Sequence, residues 1–291
     1  MAATQAVPVL RAAIGTYPHT RALKAGQTGS ARLRLEFAEV APISRAFAPM
    51  VREGRFDVSE MAIATFLQAE AYGKPLVLLP VVLVARFQEA ALLCRANCDL
   101  RGPADLAGMR VGVRAYSQTT GMWLRGILAD DYGIRPERMR WITFEDAHVA
   151  EYRDPPFAER ARPGQELLAM LRAGEIDAAI VGNDVPDDPA LRTVFPDPAA
   201  AGEAFFRRHG FVPVNHLLVV SRTLAERRGE LVAELVRMVA ASWEAAPGPA
   251  GTGISDRAAL APALALALRY AGEQGLLRRR VESDELWEGA P

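Results

Sequence analysis

Short apolar runs rich in valine, leucine and isoleucine alternate with amphipathic stretches along most of the chain. Residues 7–14 read as a strand. Residues 42–53 put Ile43, Phe47, Met50 and Val51 on one helical face, with Gly54 as the stop. A short strand over 56–58 leads into a helix that Ser59 would cap and that runs to about residue 71. Segments 76–84 and 90–95 are apolar and strand-like. A second cycle starts near residue 100, with a turn over 102–108, a strand over 110–113, a helix over 117–131 stopped by Gly133, and a strand over 140–144. Residues 148–164 are polar and carry prolines, which predicts a loop. A helix over 165–173 closes at Gly174 and feeds a buried strand over 176–181. Residues 183–189 are acidic and turn-rich. Extended apolar sequence returns over 211–220, and a long amphipathic helix covers 224–245. After a Pro/Gly break at 247–253, a last helix spans 257–274.

This strand–helix rhythm predicts an α/β protein with largely parallel, doubly wound sheets. Crossings near residues 95 and 210 would divide it into two lobes, 1–95 with 211–291 and 96–210, with a ligand cleft between them. In open α/β sheets, ligands bind beyond the carboxyl ends of the strands. That directs attention to residues 16–20, 59–60, 86–89, 116–120, 182–184 and 215–216.

Composition narrows the function classes. The 291 residues are half hydrophobic and about a quarter charged, and 34 basic against 35 acidic side chains leave a formal charge of −1. No clustered basic excess suggests nucleic acid as a partner. No apolar run reaches the ~18 residues that span a membrane, and the start lacks the basic and apolar regions of a secretory signal. The expectation is a cytoplasmic protein whose partner is a small molecule; the sequence is compatible with a monomer or a homo-oligomer. Cys94 and Cys98 have no second pair, so they read as inert thiols rather than a zinc or redox site. The four histidines show no metal-ligand spacing, and neither a metal nor an organic cofactor is implied.

The strongest local signal is Arg110-Val-Gly-Val-Arg-Ala-Tyr-Ser-Gln-Thr-Thr-Gly-Met-Trp. A strand there feeds a helix whose first turn carries Ser117, Gln118, Thr119 and Thr120. The first N–H groups of a helix lack internal partners and carry partial positive charge. Beside hydroxyls they make a pocket for a carboxylate, although Ser117 and Thr119 could equally just cap the helix. Phe56-Asp-Val-Ser-Glu-Met repeats the device in the other lobe and places Glu60 in a first helical turn. His19 follows the first strand. His216 sits inside an apolar run, where a histidine is ordinarily a core residue, but this run lies near the lobe crossing. His148 and His209 read as surface residues.

These segments, with Ile14-Gly-Thr-Tyr-Pro-His-Thr-Arg, Trp123-Leu-Arg-Gly, Gly174-Glu-Ile-Asp-Ala and Pro213-Val-Asn-His, resemble the 4,5-dihydroxyphthalate decarboxylase family from about residue 8 to 235. That family is a cytoplasmic branch of the type II periplasmic-binding-protein fold. The resemblance implies a two-lobed α/β fold and a non-oxidative loss of carbon dioxide from a hydroxylated aromatic acid. It places Tyr17, Glu60, Tyr116, Thr119 and His216 on matching site positions; from their places after strands or in helix first turns, Ser59, Arg86, Ser117, Gln118, Thr120 and Asn183 are expected as further ligand contacts. His216 or His19 would transfer the proton and Glu60 would orient it.

Several family cations are missing. An Arg-x-Phe-Arg-His stretch appears here as Ala85-Arg86-Phe87-Gln88-Glu89, an arginine is replaced by Asn183 before Asp184, and the first-loop arginine is His19. A buried dianion needs cationic partners, and arginine grips carboxylate best. The expected substrate is therefore less anionic than a phthalate. The alternative reading is a non-catalytic solute binder or sensor, since this fold is commonly a receptor and fold does not establish chemistry.

Overall fold

The computed structural model describes residues 6–182 and 185–290. The first half runs β1 (Val9–Ala13), α1 (Pro18–Lys24), β2 (Arg34–Phe37), α2 (Phe47–Glu53), β3 (Val58–Ala62), α3 (Ile63–Ala71), β4 (Leu76–Ala85), β5 (Leu92–Arg95), β6 (Arg110–Val113), α4 (Thr119–Tyr132) and β7 (Arg140–Thr143). It continues through β8 (Ala158–Arg160), α5 (Leu167–Ala173), β9 (Ala178–Ile180), β10 (Leu191–Thr193), α6 (Pro198–His209), β11 (Val214–Ser221), α7 (Arg222–Arg227), α8 (Gly229–Ala245), β12 (Gly253–Ile254) and α9 (Arg257–Glu273). The strands form two six-stranded sheets, β12-β4-β11-β3-β1-β2 and β10-β5-β9-β6-β7-β8. This is the two-lobed α/β architecture.

The sheets are mixed rather than largely parallel. β1 pairs parallel with β2 and β3, and β6 with β7 and β9. β11 lies antiparallel to β3 and β4, and β5 antiparallel to β9 and β10. The reversal follows from the path: the chain leaves the first sheet on β4, builds the second, and re-enters on β11 in the opposite sense.

Several boundaries differ from expectation for local reasons. The helix expected over 42–53 is a 3-10 turn, Ile43–Ala46, followed by α2. Pro49 lacks an N–H and its ring would clash with the carbonyl four residues back, so it is tolerated only in the first turn of a new helix. β3 extends to Ala62, so Ser59 is a strand residue and not a cap; its hydroxyl bonds the Glu60 carbonyl at 2.7 Å. The stretch 58–71 is fully buried, and periodicity cannot separate strand from helix in such a run. The polar stretch 148–164 holds the short edge strand β8, parallel to β7. The helix expected over 224–245 is two, broken at Arg228. α6 was readable from its Asp197 cap and Pro198 at the first position.

One hydrophobic core joins the lobes. It includes Met61 and Phe66 from the first sheet's side, Trp123 and Trp141 from the second, and Tyr270 of α9. Gly126 makes the α4–α9 contact: a Cβ there would lie 2.2 Å from the Tyr270 ring. Trp123 Nε1 donates to the Val214 carbonyl at 2.8 Å, tying α4 to the start of β11.

Candidate active site

A cavity of about 610 Å3 opens between the sheets. The first lobe lines it with Pro42, Ile43, Phe47, Ala62, Thr65, Asn215 and His216; the second with Arg114, Gln118–Thr120, Phe144, His148, 165–168 and 180–182. The N-terminal ends of α3 and α4 both reach it, at Ala62 and Gln118. They also touch, because the Ala64 N–H donates to Thr119 Oγ1 at 3.1 Å. Two helix N-termini converging on one wall favour a negatively charged group there.

Glu60 is a carboxylate with three hydrogen-bond donors. It is fully buried. It accepts the Gly15 N–H at 2.8 Å, the Tyr17 hydroxyl at 2.6 Å and His216 Nδ1 at 2.6 Å. Burial alone would raise the carboxyl, but the bonds from His216, Tyr17 and Gly15 outweigh it and hold Glu60 below the ordinary carboxylate range. Tyr17 is pushed up by burial and by the Glu60 charge, so its phenol stays protonated. Gly15 is required beneath this ring: a Cβ would lie 2.6 Å from the Tyr17 oxygen.

With Glu60 a carboxylate, His216 Nδ1 carries the proton of that bond, which fixes the tautomer and leaves Nε2 as the reactive nitrogen. His216 lines the cavity and is about one-eighth exposed at its side chain. The register between β11 and β4 slips on both sides of His216. Bulges of this kind re-aim a side chain, and this one turns an imidazole out of an apolar strand.

His148, expected at the surface, lines the cavity instead. Its Nδ1 meets Thr65 Oγ1 at 2.7 Å, and its ring stands edge-on to Phe47, as does that of His216, at 5.6 and 5.2 Å. Burial, with Arg114 and Arg52 nearby, pushes its pKa down to about 4, so it is neutral near pH 7. Its polar, Pro-bearing surroundings hid it. The Arg52 guanidinium donates to the Ala147 and His148 carbonyls, at 2.7 and 2.8 Å, and holds the segment against the first lobe. His209 is half-buried against Phe205, with ring centroids 4.5 Å apart.

The other expected contacts divide. Gln118, Thr119 and Thr120 line the cavity. Arg86 reaches Thr120 Oγ1 at 2.9 Å from behind the lining. Ser117 and Ser59 are buried outside it. Tyr116 is in the core, its ring 3.9 Å beneath the Arg125 guanidinium, because it precedes the helix and points back into the second lobe. His19 does not reach the cavity either. It stacks on Tyr17 at 5.3 Å and bonds the Leu83 carbonyl through Nε2 at 3.1 Å, and burial lowers its pKa. Asn183 lies outside the described residues. Among those described, no three His, Cys, Asp or Glu side chains are grouped to hold a metal ion, and no helix is long and apolar enough to cross a membrane.

A two-lobed α/β protein with an interlobe cavity and a carboxylate-held histidine on its wall is the class these features define. Comparison with known proteins agrees with that class. No family model matches the sequence. The chain is similar to the 4,5-dihydroxyphthalate decarboxylase of Comamonas testosteroni, at 26% identity over 96% of this chain and 85% of the relative. It is also similar to the enzyme of the same name from Pseudomonas putida, at 25% identity over 68% and 81%. Among solved structures, the alkanesulfonate-binding protein SsuA from Xanthomonas axonopodis pv. citri, bound to MOPS, matches with a TM-score of 0.64 at 15% identity, over 97% of this chain and 98% of that one. At that identity the likeness speaks for the fold.

Proposed function

We propose that the chain is a carboxy-lyase that removes carbon dioxide from a small hydroxylated aromatic acid, with His216 as the proton donor and Glu60 as its orienting partner. The observation that carries this reading is the 2.6 Å bond from Glu60 to Nδ1 of the cavity-lining His216, which leaves Nε2 outside that bond. The similarity to two decarboxylases over most of the chain supports the reaction type.

The reaction replaces a ring carboxylate by hydrogen. Nε2 of protonated His216 delivers a proton to the ring carbon that bears the carboxylate. The carbon–carbon bond then breaks, its electron pair returns to the ring, and carbon dioxide leaves. Glu60 stabilises the imidazolium before transfer, and solvent restores the proton afterwards. Thr119, Thr120 and the α4 N-terminus hold the acid or phenol oxygens. His148, neutral, is suited to hydrogen-bonding the ring hydroxyl rather than to carrying charge.

The alternative is a solute binder, which the structural likeness to SsuA favours. Incubating the purified protein with 4,5-dihydroxyphthalate and a panel of hydroxybenzoates, while following carbon dioxide release, separates the two. Catalytic release from any acid supports the lyase. Ligand-induced stabilisation without release from any acid sinks it and leaves the binder.

A further inference from the structure

The cavity is graded from floor to mouth. At the floor, Ala62, Thr65, Thr119, Thr120 and Asn215 are buried and His216 nearly so. At the mouth, Pro42, Glu145 and Glu166 are exposed. Between them the second lobe presents Phe144, Leu167 and Leu168, half-buried and packed onto a core that includes Ala179 and Val181. Ile43 and Phe47 face in from the first lobe.

Two quantities set the occupant. A cavity of about 150 Å3 is enough for benzene, whereas this one measures about 610 Å3. Among the described residues, Arg114 is the one lysine or arginine on the lining, and it is 3.4 Å from Glu145. A second carboxylate on the substrate ring would thus find one cation on the described lining, an arginine already paired with Glu145. An apolar substituent in the same place would exchange water for Phe144 and the two leucines, at roughly 25 cal/mol per Å2 of area buried.

We propose that the substrate is a monocarboxylic hydroxyaryl acid larger than one ring, its acid and hydroxyl groups at the His216 floor and its apolar extension along Phe144, Leu167 and Leu168. The choice of an acid rests on the lyase reading above; the size and apolarity of the extension rest on the cavity. This differs from a dihydroxyphthalate, which carries two acid groups on one ring.

Calorimetric titration of the full chain with salicylate, 1-hydroxy-2-naphthoate, 3-hydroxy-2-naphthoate and 4,5-dihydroxyphthalate tests it. The two naphthoates extend the same hydroxy acid in different directions. At least one should bind about tenfold or more tighter than salicylate, and dihydroxyphthalate should bind more weakly than that naphthoate. Leu168→Asp should collapse the naphthoate-to-salicylate ratio. Naphthoates no tighter than salicylate, dihydroxyphthalate tightest of all, or no binding by any of the four would overturn the proposal. Carbon dioxide release followed on the same samples separates the two readings. Tight naphthoate binding with no release keeps the ligand class and removes the lyase. Release from single-ring acids, with no gain for naphthoates, does the reverse.

Discussion

Glu60 and Arg125 are both fully buried charges, one in each lobe, and they are treated in opposite ways. Glu60 receives three hydrogen bonds, one of them from a histidine that opens onto the cavity. Arg125 has no carboxylate partner among the described residues. Its Nε donates to Gln274 and one terminal nitrogen to the Tyr116 carbonyl, its plane lies over the Tyr116 and Trp141 rings, and Nη1 has no protein partner. Burial lowers its pKa, with nearby Tyr116, Tyr152 and Asp154 offsetting part of the shift. A buried carboxylate with three hydrogen bonds, one of them from a cavity-lining histidine, suits the proton chemistry proposed above. A buried charge held by rings and amides is arranged for packing.

Substitutions that keep shape but remove charge sharpen the contrast. Of the substitutions at the two buried charges, Glu60→Gln should have the larger effect on carbon dioxide release. It leaves His216 without its counter-charge, and carbon dioxide release should fall by about two orders of magnitude or more. It should also cost about 1–3 kcal/mol in chemical denaturation, since a buried hydrogen-bond set is left mismatched. Because Glu60 titrates below its unfolded value, its contribution is present above the ordinary carboxylate pKa and lost as pH falls through the folded one.

Arg125→Ala should come next, costing about 2–4 kcal/mol through the cavity it leaves beneath α4. Arg125→Met keeps most of the volume and sheds a poorly compensated charge, and should stay within about 1.5 kcal/mol of wild type. A loss as large as that of Arg125→Ala would mean that the cation itself stabilises the lobe and would break the comparison.

The smallest effect concerns His148. Its pKa is about 4 when folded, against an ordinary value near 6.5. Between those values the unfolded chain binds the extra proton, so stability should rise with pH from about 4 to 6.5 and then level, by about 1–3 kcal/mol. His148→Gln should flatten that rise in denaturation midpoints measured across the range. An unchanged slope would place the proton uptake elsewhere.

The two regions also differ in how legible they were. Ile14-Gly-Thr-Tyr and Phe56-Asp-Val-Ser-Glu pointed to residues that do meet, but not to why. Glu60 was expected in a helical first turn; it lies in β3, and Gly15 matters for its N–H and for the room it leaves Tyr17. Trp123-Leu-Arg-Gly was among the segments that carry the resemblance, yet none of its residues lines the interlobe cavity. Trp123 ties α4 to β11, Arg125 fills the second lobe, and Gly126 admits Tyr270. Packing constraints leave as sharp a trace as chemistry does. His148 left none, because its place depends on a segment held by Arg52 from another element. His19 misled because a histidine after a strand need not turn toward the cleft; the Leu83 carbonyl and the Tyr17 ring turn this one away.

The most direct test compares wild type with His216→Ala for carbon dioxide release from the acid that wild type turns over fastest, with melting temperatures measured in parallel. The account predicts release lowered by about three orders of magnitude and a melting temperature within a few degrees of wild type. Release at the wild-type rate from a folded His216→Ala protein would contradict it, and would move the proton donor away from the Glu60–His216 pair.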